Sequence, residues 1–367
     1  MRILFDYQIF TQQHFGGISR YFCALANQLA TDPQVWTRIV APVHCNEYLA
    51  TIRNGVAWGY YLRHAPKRRK LSAALSSVVF SPIAKGMRPD IIHETYYSAQ
   101  PTYRERAARV LSVFDMIHEK LPREFSASDR TAQDKVAAIH RADRIICISE
   151  CTRRDLLETT AVAEDKIAVT YLGYDTLSPG DQSAADLVGP APYLLHVGAR
   201  KGYKNFAALA RAFAASRWLK QNFRLVCFGS RPFSSAERDL FVELDLKATQ
   251  VRHIAGGDDR LAALYRGAAA FVYPSKYEGF GIPPLEAMSL DCPVICSRCS
   301  SIPEVVGDAG EYFDPHDVGS LTHAIERVLQ SAERREELVA LGRARCREFS
   351  WERCAQDTLS IYRTLTP

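Results

Sequence analysis

Two acidic residues, Glu278 and Glu286, flank a glycine-rich turn in the second half of the chain. Residues 273–288 read Tyr-Pro-Ser-Lys-Tyr-Glu-Gly-Phe-Gly-Ile-Pro-Pro-Leu-Glu-Ala-Met. Carboxylates accept hydrogen bonds, so two of them around a tight turn can hold the hydroxyl groups of a sugar. Glycines let the backbone approach a ligand, and prolines fit the first turn of a helix whose N–H groups face an anion. The segment is therefore the most specific candidate for a sugar-phosphate site, although each glutamate alone could be a simple partner of the helix dipole.

A second candidate is the loop Gly198-Ala-Arg-Lys-Gly-Tyr-Lys-Asn-Phe206, which follows an apolar run. Arg200, Lys201 and Lys204 place three cations at one strand end, where they repel one another unless a polyanion lies among them. Arginine offers a two-pronged donor and lysine a point charge, a combination that suits a diphosphate. A basic surface turn is the alternative.

The glycine pair Gly16-Gly17 forms a third candidate, between an apolar run and an amphipathic segment near the start of the chain. Such a loop can bring an anion to a helix N-terminus, or it can be a plain tight turn. The dinucleotide pattern Gly-x-Gly-x-x-Gly and the phosphate loop Gly-x4-Gly-Lys-Ser/Thr are both absent. Their absence argues against a dehydrogenase and against a P-loop nucleotide hydrolase.

Short aliphatic runs alternate with amphipathic segments along the whole chain, six runs in each half. Runs of this kind are typical of parallel strands that are buried on both faces, with helices between them. The pattern predicts two doubly wound α/β domains. The runs are 3–5, 38–41, 90–93, 109–115, 144–149 and 166–172, then 193–198, 223–229, 251–255, 270–275, 293–297 and 310–314.

A stretch rich in proline and glycine, 179–192, predicts a linker between a first domain at 1–178 and a second at 193–350. The last segment, 351–367, follows a helical pattern and is expected to cross back to the first domain. Parallel sheets bind ligands at the carboxyl ends of their strands, so we expect the two domains to face each other across one cleft.

The composition excludes several classes of protein. The chain has 367 residues, of which 47% are hydrophobic and 24% charged, enough apolar material for two cores and too much for a disordered chain. No apolar run approaches the roughly 18 residues of a membrane span. The start has no features of a secretory signal, so we expect the protein in the cytoplasm.

The net charge of +5 is small, but five Lys or Arg residues fall within 63–70. This basic cluster is either a solvated loop or a surface for anionic lipid headgroups or a polyphosphate. A peripheral contact with the inner face of the cytoplasmic membrane is therefore one expected partner interaction. No nucleic-acid-binding motif accompanies the cluster, and nucleic acid is not an expected partner.

Ten cysteines are scattered along the chain, several of them inside apolar runs. Cys296 and Cys299 have the spacing of half a zinc knuckle, but no second pair would complete four ligands. We expect structural thiols and no metal site.

Across nearly its whole length the sequence resembles retaining GT-B glycosyltransferases of glycosyltransferase family 4, and among them bacterial polysaccharide mannosyltransferases. The resemblance is carried by the Glu-x7-Glu spacing of Glu278 and Glu286, by the Gly-Gly-Ile-Ser-Arg-Tyr segment 16–21 and by the loop 197–206. The segments 300–310 and 349–351 also fit the family pattern.

The resemblance implies that a nucleotide-sugar donor is held by side chains and backbone groups of these loops. Arg200 and Lys204 would hold its diphosphate, Glu286 its ribose and Glu278 the transferred sugar, with the backbone of Gly16, Gly17, Gly279, Phe280 and Gly281 close to the phosphates and sugar. The family typically needs no metal and no cofactor. The loop cations would then stabilise the charge that develops on the leaving nucleotide.

One position departs from the family pattern. Many members place a His-Asp pair after a strand of the first domain, but here Phe114 stands in the histidine position and only Asp115 matches. His118, three residues further on, is a candidate replacement beside the acceptor. His93 and Tyr96 follow another strand and are further acceptor-side candidates. A lone histidine at a strand end is equally often a hydrogen-bonded structural group.

The resemblance implies front-face sugar transfer with retention, in which the leaving phosphate takes the proton of the acceptor. GDP-mannose is the first donor expected, and a glycan or a lipid-linked oligosaccharide of a bacterial surface polysaccharide the acceptor. A UDP-sugar donor, a nucleotide-sugar epimerase and a catalytically inert nucleotide-sugar-binding protein are the alternatives. Phe114 favours the inert protein, and the intact glutamate and cation sets oppose it.

Overall fold

The structure is a computed structural model that describes residues 1–53, 55–62, 69–178, 180, 183–229 and 231–366, the side chains of residues 69 and 70 excepted. The chain forms two compact units, one of Met1–Gly173 with Ser350–Pro367 and one of Tyr174–Phe349. Each unit is built on one parallel sheet, as the aliphatic runs predicted.

The sheet of the first unit has seven strands in the order β3-β2-β1-β4-β5-β6-β7, and that of the second has six in the order β10-β9-β8-β11-β12-β13. All the pairings between neighbouring described strands are parallel. The strands are β1 (Arg2–Phe5), β2 (Trp36–His44), β3 (Ala57–Tyr61), β4 (Ile91–Glu94), β5 (Ala108–Val113), β6 (Arg144–Cys147), β7 (Ile167–Val169), β8 (Tyr193–Val197), β9 (Arg224–Phe228), β10 (Val251–Ile254), β11 (Ala270–Tyr273), β12 (Val294–Ser297) and β13 (Gly310–Phe313).

Helices connect these strands, and the described residues form short 3-10 turns at four places that include Gly202–Lys204. The helices are α1 (Gln8–Gln12), α2 (Gly17–Leu29), α3 (Glu47–Ala50), α4 (Arg69–Met87), α5 (Ile117–Lys120), α6 (Thr131–Arg141), α7 (Glu150–Thr159), α8 (Ala184–Val188), α9 (Phe206–Ala215), α10 (Arg217–Asn222), α11 (Ser235–Glu243), α12 (Asp258–Gly267), α13 (Ile282–Ser289), α14 (Ile302–Val306), α15 (Val318–Gln330), α16 (Ala332–Cys346) and α17 (Trp351–Arg363).

Two features differ from the sequence prediction. The strand β3 was not predicted, because its sequence Ala-Trp-Gly-Tyr-Tyr is half exposed at the sheet edge and lacks an aliphatic run. The second unit begins at Tyr174, and the stretch 179–192 contains α8. Ser183 and Asp186 form a capping box that starts this helix inside the proline-rich stretch.

The last helix, α17, belongs to the first unit and packs on α2.

The basic cluster 63–70 lies outside the described residues, apart from the backbone of residues 69 and 70 at the start of α4. In the described part of the chain, every helix is too short or too polar to cross a bilayer.

The thiols lie mainly in the two cores. All ten cysteines are free and eight of them are buried. Burial raises the pKa of the thiols of Cys23 and Cys354 to about 12, so they stay protonated at neutral pH. Cys299 donates weak hydrogen bonds to the carbonyl oxygens of Ser275 and Lys276, at 3.2 Å each. It therefore supports the backbone after β11.

His93 is buried in the core of the first unit, at the end of β4. Its Nδ1 lies 2.5 Å from the Tyr362 hydroxyl of α17, and its Nε2 lies 2.9 Å from the Ser112 hydroxyl of β5. The ring is fully buried beside Phe5 and Phe22. With both nitrogens occupied and no exposed surface, His93 fixes β4, β5 and α17 together. Its expected role beside an acceptor is therefore corrected to a structural one.

Because three histidines are buried, we predict that the folded protein loses stability in acid. Burial lowers the pKa of His93 to about 3 and those of His44 and His196 to about 4. Below a pH of about 6.5 the unfolded chain binds protons that the folded chain does not, so the free energy of unfolding falls as the pH falls and is unaffected by these groups above it. Each histidine should cost about 1.4 kcal/mol at pH 5.5.

Urea unfolding at pH 7.5 and pH 5.5 measures this effect. His93→Gln should unfold more easily at pH 7.5 than the wild type and lose less stability between the two pH values. His316→Gln, an exposed site, is the matched control and should keep the wild-type difference. An unchanged pH dependence in His93→Gln would contradict the prediction.

Candidate active site

The loops after β8, β11 and β12 lie together in the second unit. The Lys276 N–H donates to the Tyr203 carbonyl at 2.7 Å, and the Glu278 N–H donates to the Ser300 hydroxyl at 2.9 Å. The chain adds strands in one direction from β8 to β10 and in the other from β11 to β13. Ligands of doubly wound sheets bind at the carboxyl ends of the strands where the order reverses, here β8 and β11. The candidate residues of the second unit therefore lie at the position where this topology places ligands.

Lys204 and Glu278 form an ion pair at this point. The lysine Nζ lies 2.7 Å from Oε1 and 3.0 Å from Oε2 of the glutamate. The two side chains are only 23% and 11% exposed. The Nζ also lies 5.2 Å from the centre of the Tyr203 ring and 5.9 Å from that of Tyr273. Two residues expected to touch neighbouring parts of one ligand, the diphosphate and the sugar, are thus in direct contact.

The local backbone fixes the direction of Lys204. The turn Gly202–Lys204 ends at Asn205, which adopts the left-handed conformation with φ 57°. Its side-chain amide donates to the Pro315 carbonyl at 2.9 Å. Asparagine tolerates this conformation better than most residues, and it begins α9 directly after the lysine. The lysine is therefore held where the loop turns into a helix.

Arg200 is held by a residue that the sequence analysis did not identify, Glu237 on α11. The arginine Nε donates to Glu237 Oε1 at 2.5 Å, and its Nη2 donates to the carbonyls of Arg231 and Pro232 at 2.7 and 3.0 Å. The other glutamate oxygen accepts from the Ser234 N–H and hydroxyl, both at 2.7 Å. One carboxylate thus caps α11 and orients the arginine.

The Arg200–Glu237 contact borders a cavity of about 460 Å³ between the loops after β8 and β9. Within the part of the chain that the structure describes, the Nη1 group of Arg200 makes no hydrogen bond. It points toward Gly229, where an added Cβ would lie 3.8 Å from it and 3.1 Å from the Gly198 carbonyl. The arginine keeps one donor group available on the cavity side. The Ser-x-x-Glu pattern of residues 234–237 indicates only a helix start, so this pairing could not be predicted from the sequence.

Glu286 is buried on α13, with 5% of its surface exposed. The helix begins after Gly281, whose φ of 122° is unfavourable for other residues. Prolines occupy the second and third helical positions and carry no N–H, so the helix offers fewer donors to an anion than expected. The turn before the helix is fixed in part by Ser301, whose hydroxyl donates to the carbonyls of Glu278 and Phe280 at 2.9 and 2.8 Å.

His196 supports the cation loop from below. Its Nε2 lies 3.4 Å from the Ala199 carbonyl, and the ring is 2% exposed at the end of β8. Burial lowers its pKa to about 4, and the charges of Lys204 and Arg200 act in the same direction. The ring therefore stays neutral and adds no further positive charge to the loop.

The predicted anion loop of the first unit is occupied by its own chain. Gly16 precedes α2 with an extended backbone, and the Gln13 side-chain oxygen accepts from the Ser19 N–H at 3.2 Å. A Cβ added to Gly16 would lie 2.2 Å from that oxygen. The close approach expected at Gly16 is therefore made by Gln13, whereas the space beside Gly17 is open.

His118 does not occupy the position of the histidine that Phe114 replaces. Phe114 is 6% exposed and packs against the rings of Tyr21 and Phe22. His118 stacks on Phe125 at 3.9 Å between ring centres, and its Nε2 lies 3.7 Å from the Asp129 carboxylate. The family histidine position is thus part of the core, and His118 has partners of its own on the chain segment that follows.

Asp115 follows β5, and Tyr96 follows the neighbouring strand β4. Asp115 is about one third exposed, and its Oδ1 accepts from the Ile117 N–H at 3.1 Å. Burial and the Asp115 charge raise the pKa of Tyr96 to about 12. Lys135, which the sequence analysis missed, is fully buried on α6 and donates to the Asp115 carbonyl and to Glu119, both at 2.9 Å. The loop that carries Asp115 is thereby fixed from the inside.

Within the described ranges, no three His, Cys, Asp or Glu side chains come together as metal ligands. Positive charge in the candidate site comes from Arg200 and Lys204, each beside a carboxylate, and from the exposed Lys201, which lines the same cavity as Arg200. Such an arrangement can bind a ligand with both phosphate and hydroxyl groups, the phosphates at the cations and the hydroxyls at the carboxylates.

Known proteins resemble this chain in sequence and in fold. The chain is 33% identical over 238 residues to O-antigen chain mannosyltransferase B of Escherichia coli and 30% identical over 226 residues to MMP alpha-(1->4)-mannosyltransferase of Mycolicibacterium hassiacum. These matches cover 62% and 59% of this chain, and 62% and 53% of the two relatives, so the chain spans less than two thirds of each.

Two solved structures have the same fold over nearly their whole length. Sucrose-phosphate synthase of Thermosynechococcus elongatus has a TM-score of 0.78 at 20% sequence identity. The match covers 100% of this chain and 99% of the synthase chain. Anabaena HepE in complex with UDP-glucose has a TM-score of 0.75 at 16% sequence identity. The match covers 99% of this chain and 100% of the HepE chain.

Two protein families match the two halves of the chain. Residues 15–177 match the family described as Glycosyltransferase Family 4, and residues 182–345 match Glycosyl transferases group 1. Together with the two parallel-sheet units, these matches show that the chain is a GT-B glycosyltransferase like those of family 4.

Proposed function

We propose that this protein transfers a hexose, first of all mannose from GDP-mannose, to a hydroxyl group of a glycan or a lipid-linked oligosaccharide in bacterial surface polysaccharide assembly. The observation that carries the proposal is the Lys204–Glu278 pair at the strand ends where the order of the second sheet reverses. The names of the two mannosyltransferase relatives support the sugar.

In this proposal Lys204 and Arg200 bind the diphosphate, Glu278 the transferred sugar and Glu286 the ribose. The bond between the anomeric carbon and the phosphate oxygen breaks as the acceptor oxygen bonds to the same face of that carbon. The acceptor proton passes to the leaving phosphate, and the configuration is retained. The two cations stabilise the charge on the leaving diphosphate, so that no metal is needed.

A UDP-sugar donor is the second candidate, since the HepE structure with the same fold was solved with UDP-glucose. An epimerase and an inert binding protein share the same donor site in principle. Donor identity and the requirement for an acceptor separate all four.

Substitution of Lys204 or Glu286 should weaken donor binding. Lys204→Ala and Glu286→Gln each remove a charged partner of the donor, and hydrogen bonds to charged groups contribute about 1.5–3 kcal/mol, roughly 10- to 150-fold in affinity. Calorimetric titration with GDP-mannose measures the change. Lys247→Ala and Glu243→Gln, both exposed in the same unit, are the matched controls. Wild-type affinity and turnover in both site variants would refute the assignment.

Glu237→Gln should raise the donor KM about three- to tenfold, because Arg200 loses its charged anchor. Ser234→Ala is the control, since it removes the same helix cap, at about 1 kcal/mol of stability, but leaves the arginine its partner. In an Arg200→Ala background the Glu237→Gln change should have no further effect on KM. An equal KM effect in Ser234→Ala would indicate a structural role alone.

A thermal-shift panel of GDP-, UDP-, ADP- and TDP-sugars identifies the donor. A donor present at about 100 times its Kd stabilises by about 2.7 kcal/mol, a shift of roughly 5 °C or more for a unit of this size. We expect GDP-mannose to give the largest shift, and release of GDP only when acceptor is added. A shift with UDP-sugars alone would select the second candidate, and conversion of the donor without acceptor would indicate an epimerase.

A further inference from the structure

The outer face of α4, a surface helix of the first unit, carries no charge. One row of side chains packs inward on β2 and α1, namely Ser72, Ser76, Phe80 and Ala84, each at most 4% exposed. The outer face carries four large apolar side chains, the α4 stripe, namely Leu71 (57% exposed), Leu75 (46%), Val78 (75%) and Val79 (39%). Their spacing is that of a single helical face, and residues 71–84 contain no charged residue.

The α4 stripe is unusual for a surface in water. Single exposed apolar residues are normal, but a contiguous group of them marks a surface that binds something. Nine large hydrophobic side chains are exposed in the described part of the chain, and four of them are in this stripe. The edge strand β3 of the same sheet exposes two more, Trp58 and Tyr60, which are residue types enriched at membrane–water interfaces.

The charges along the chain next to the α4 stripe indicate its partner. Five Lys or Arg residues and no acid occur within 63–70. At the other end of the helix Arg88 follows, and Lys85 pairs with Glu105 at 3.0 Å. In a symmetric pair of α4 helices, parallel or antiparallel, basic ends would meet basic ends and repel. An apolar helix face with basic residues at its borders instead fits a bilayer with anionic headgroups.

We propose that the α4 stripe docks in the plane of an anionic membrane surface, with the inner row of α4 remaining on its sheet. This inference rests on the proposed function in one respect, that a lipid-linked acceptor would be met at such a surface. The surface itself is defined by the exposed side chains of α4.

Vesicle sedimentation with the full chain tests the docking. We expect the wild type to sediment with vesicles of phosphatidylcholine and phosphatidylglycerol in equal parts, and far less with phosphatidylcholine alone. The combined Leu71→Gln, Leu75→Gln and Val78→Gln variant keeps good helix formers and should lower the partition coefficient at least about tenfold. Val242→Gln, an 81% exposed apolar residue of the second unit, is the matched control and should sediment like the wild type.

Two further measurements separate the possible failures. Equal sedimentation of the triple variant and the wild type overturns the docking, and so does a wild-type dimer that the triple variant converts to a monomer, because a second copy would then cover the stripe. Helical circular dichroism and GDP-mannose affinity should be unchanged in the triple variant. A wild type that binds vesicles but no nucleotide sugar refutes the proposed function and leaves the docking intact.

Discussion

The conformation of the candidate donor loops depends on the compensation of two cations by two carboxylates. Lys204 faces Glu278 and Arg200 faces Glu237, with side chains between 6% and 23% exposed. A cation this far from water is costly unless an anion is beside it, so each carboxylate holds its cation in a defined position. A diphosphate would bring more negative charge than either carboxylate. Its arrival at Lys204 would allow Glu278 to accept hydrogen bonds from sugar hydroxyls, so the same pair can serve the empty and the occupied site.

The fold brings these four residues together through strand order. The loops after β8, β9 and β11 start from adjacent strands at the centre of the second sheet, and each contributes or adjoins one partner of a pair. Positive φ occurs in this region at Asn205, Gly281 and Ser300. These positions turn the chain sharply between strand and helix, and the Ser300 and Ser301 hydroxyls then link the loops. The conformation of the site loops is therefore fixed by sharp turns and by hydrogen bonds from serine hydroxyls to the backbone, without a ligand.

The sequence predicts the fold where aliphatic runs are buried on both faces, and all six strands of the second sheet fall within predicted runs. It fails at β3, an exposed edge strand, and at α8, whose cap lies among prolines and glycines. Motif spacing likewise identified Lys204 and Glu278, while Glu237 and Lys135 pair through contacts between distant segments. The helix cap that Gln13 forms was not predicted for the same reason. It depends on how the chain turns before α2, which residue type alone does not specify.

The first unit shows how a departure from the family pattern can be compatible with the proposed chemistry. Phe114 fills core space, His93 is neutral and enclosed by Tyr362 and Ser112, and His118 faces Asp129. None of these groups is arranged as a general base beside an exposed acceptor position. In front-face transfer the proton of the acceptor passes to the leaving phosphate, which itself is the base. In the proposed chemistry a histidine is then dispensable for proton transfer, and the buried Lys135 fixes the loop that carries Asp115, a candidate residue on the acceptor side.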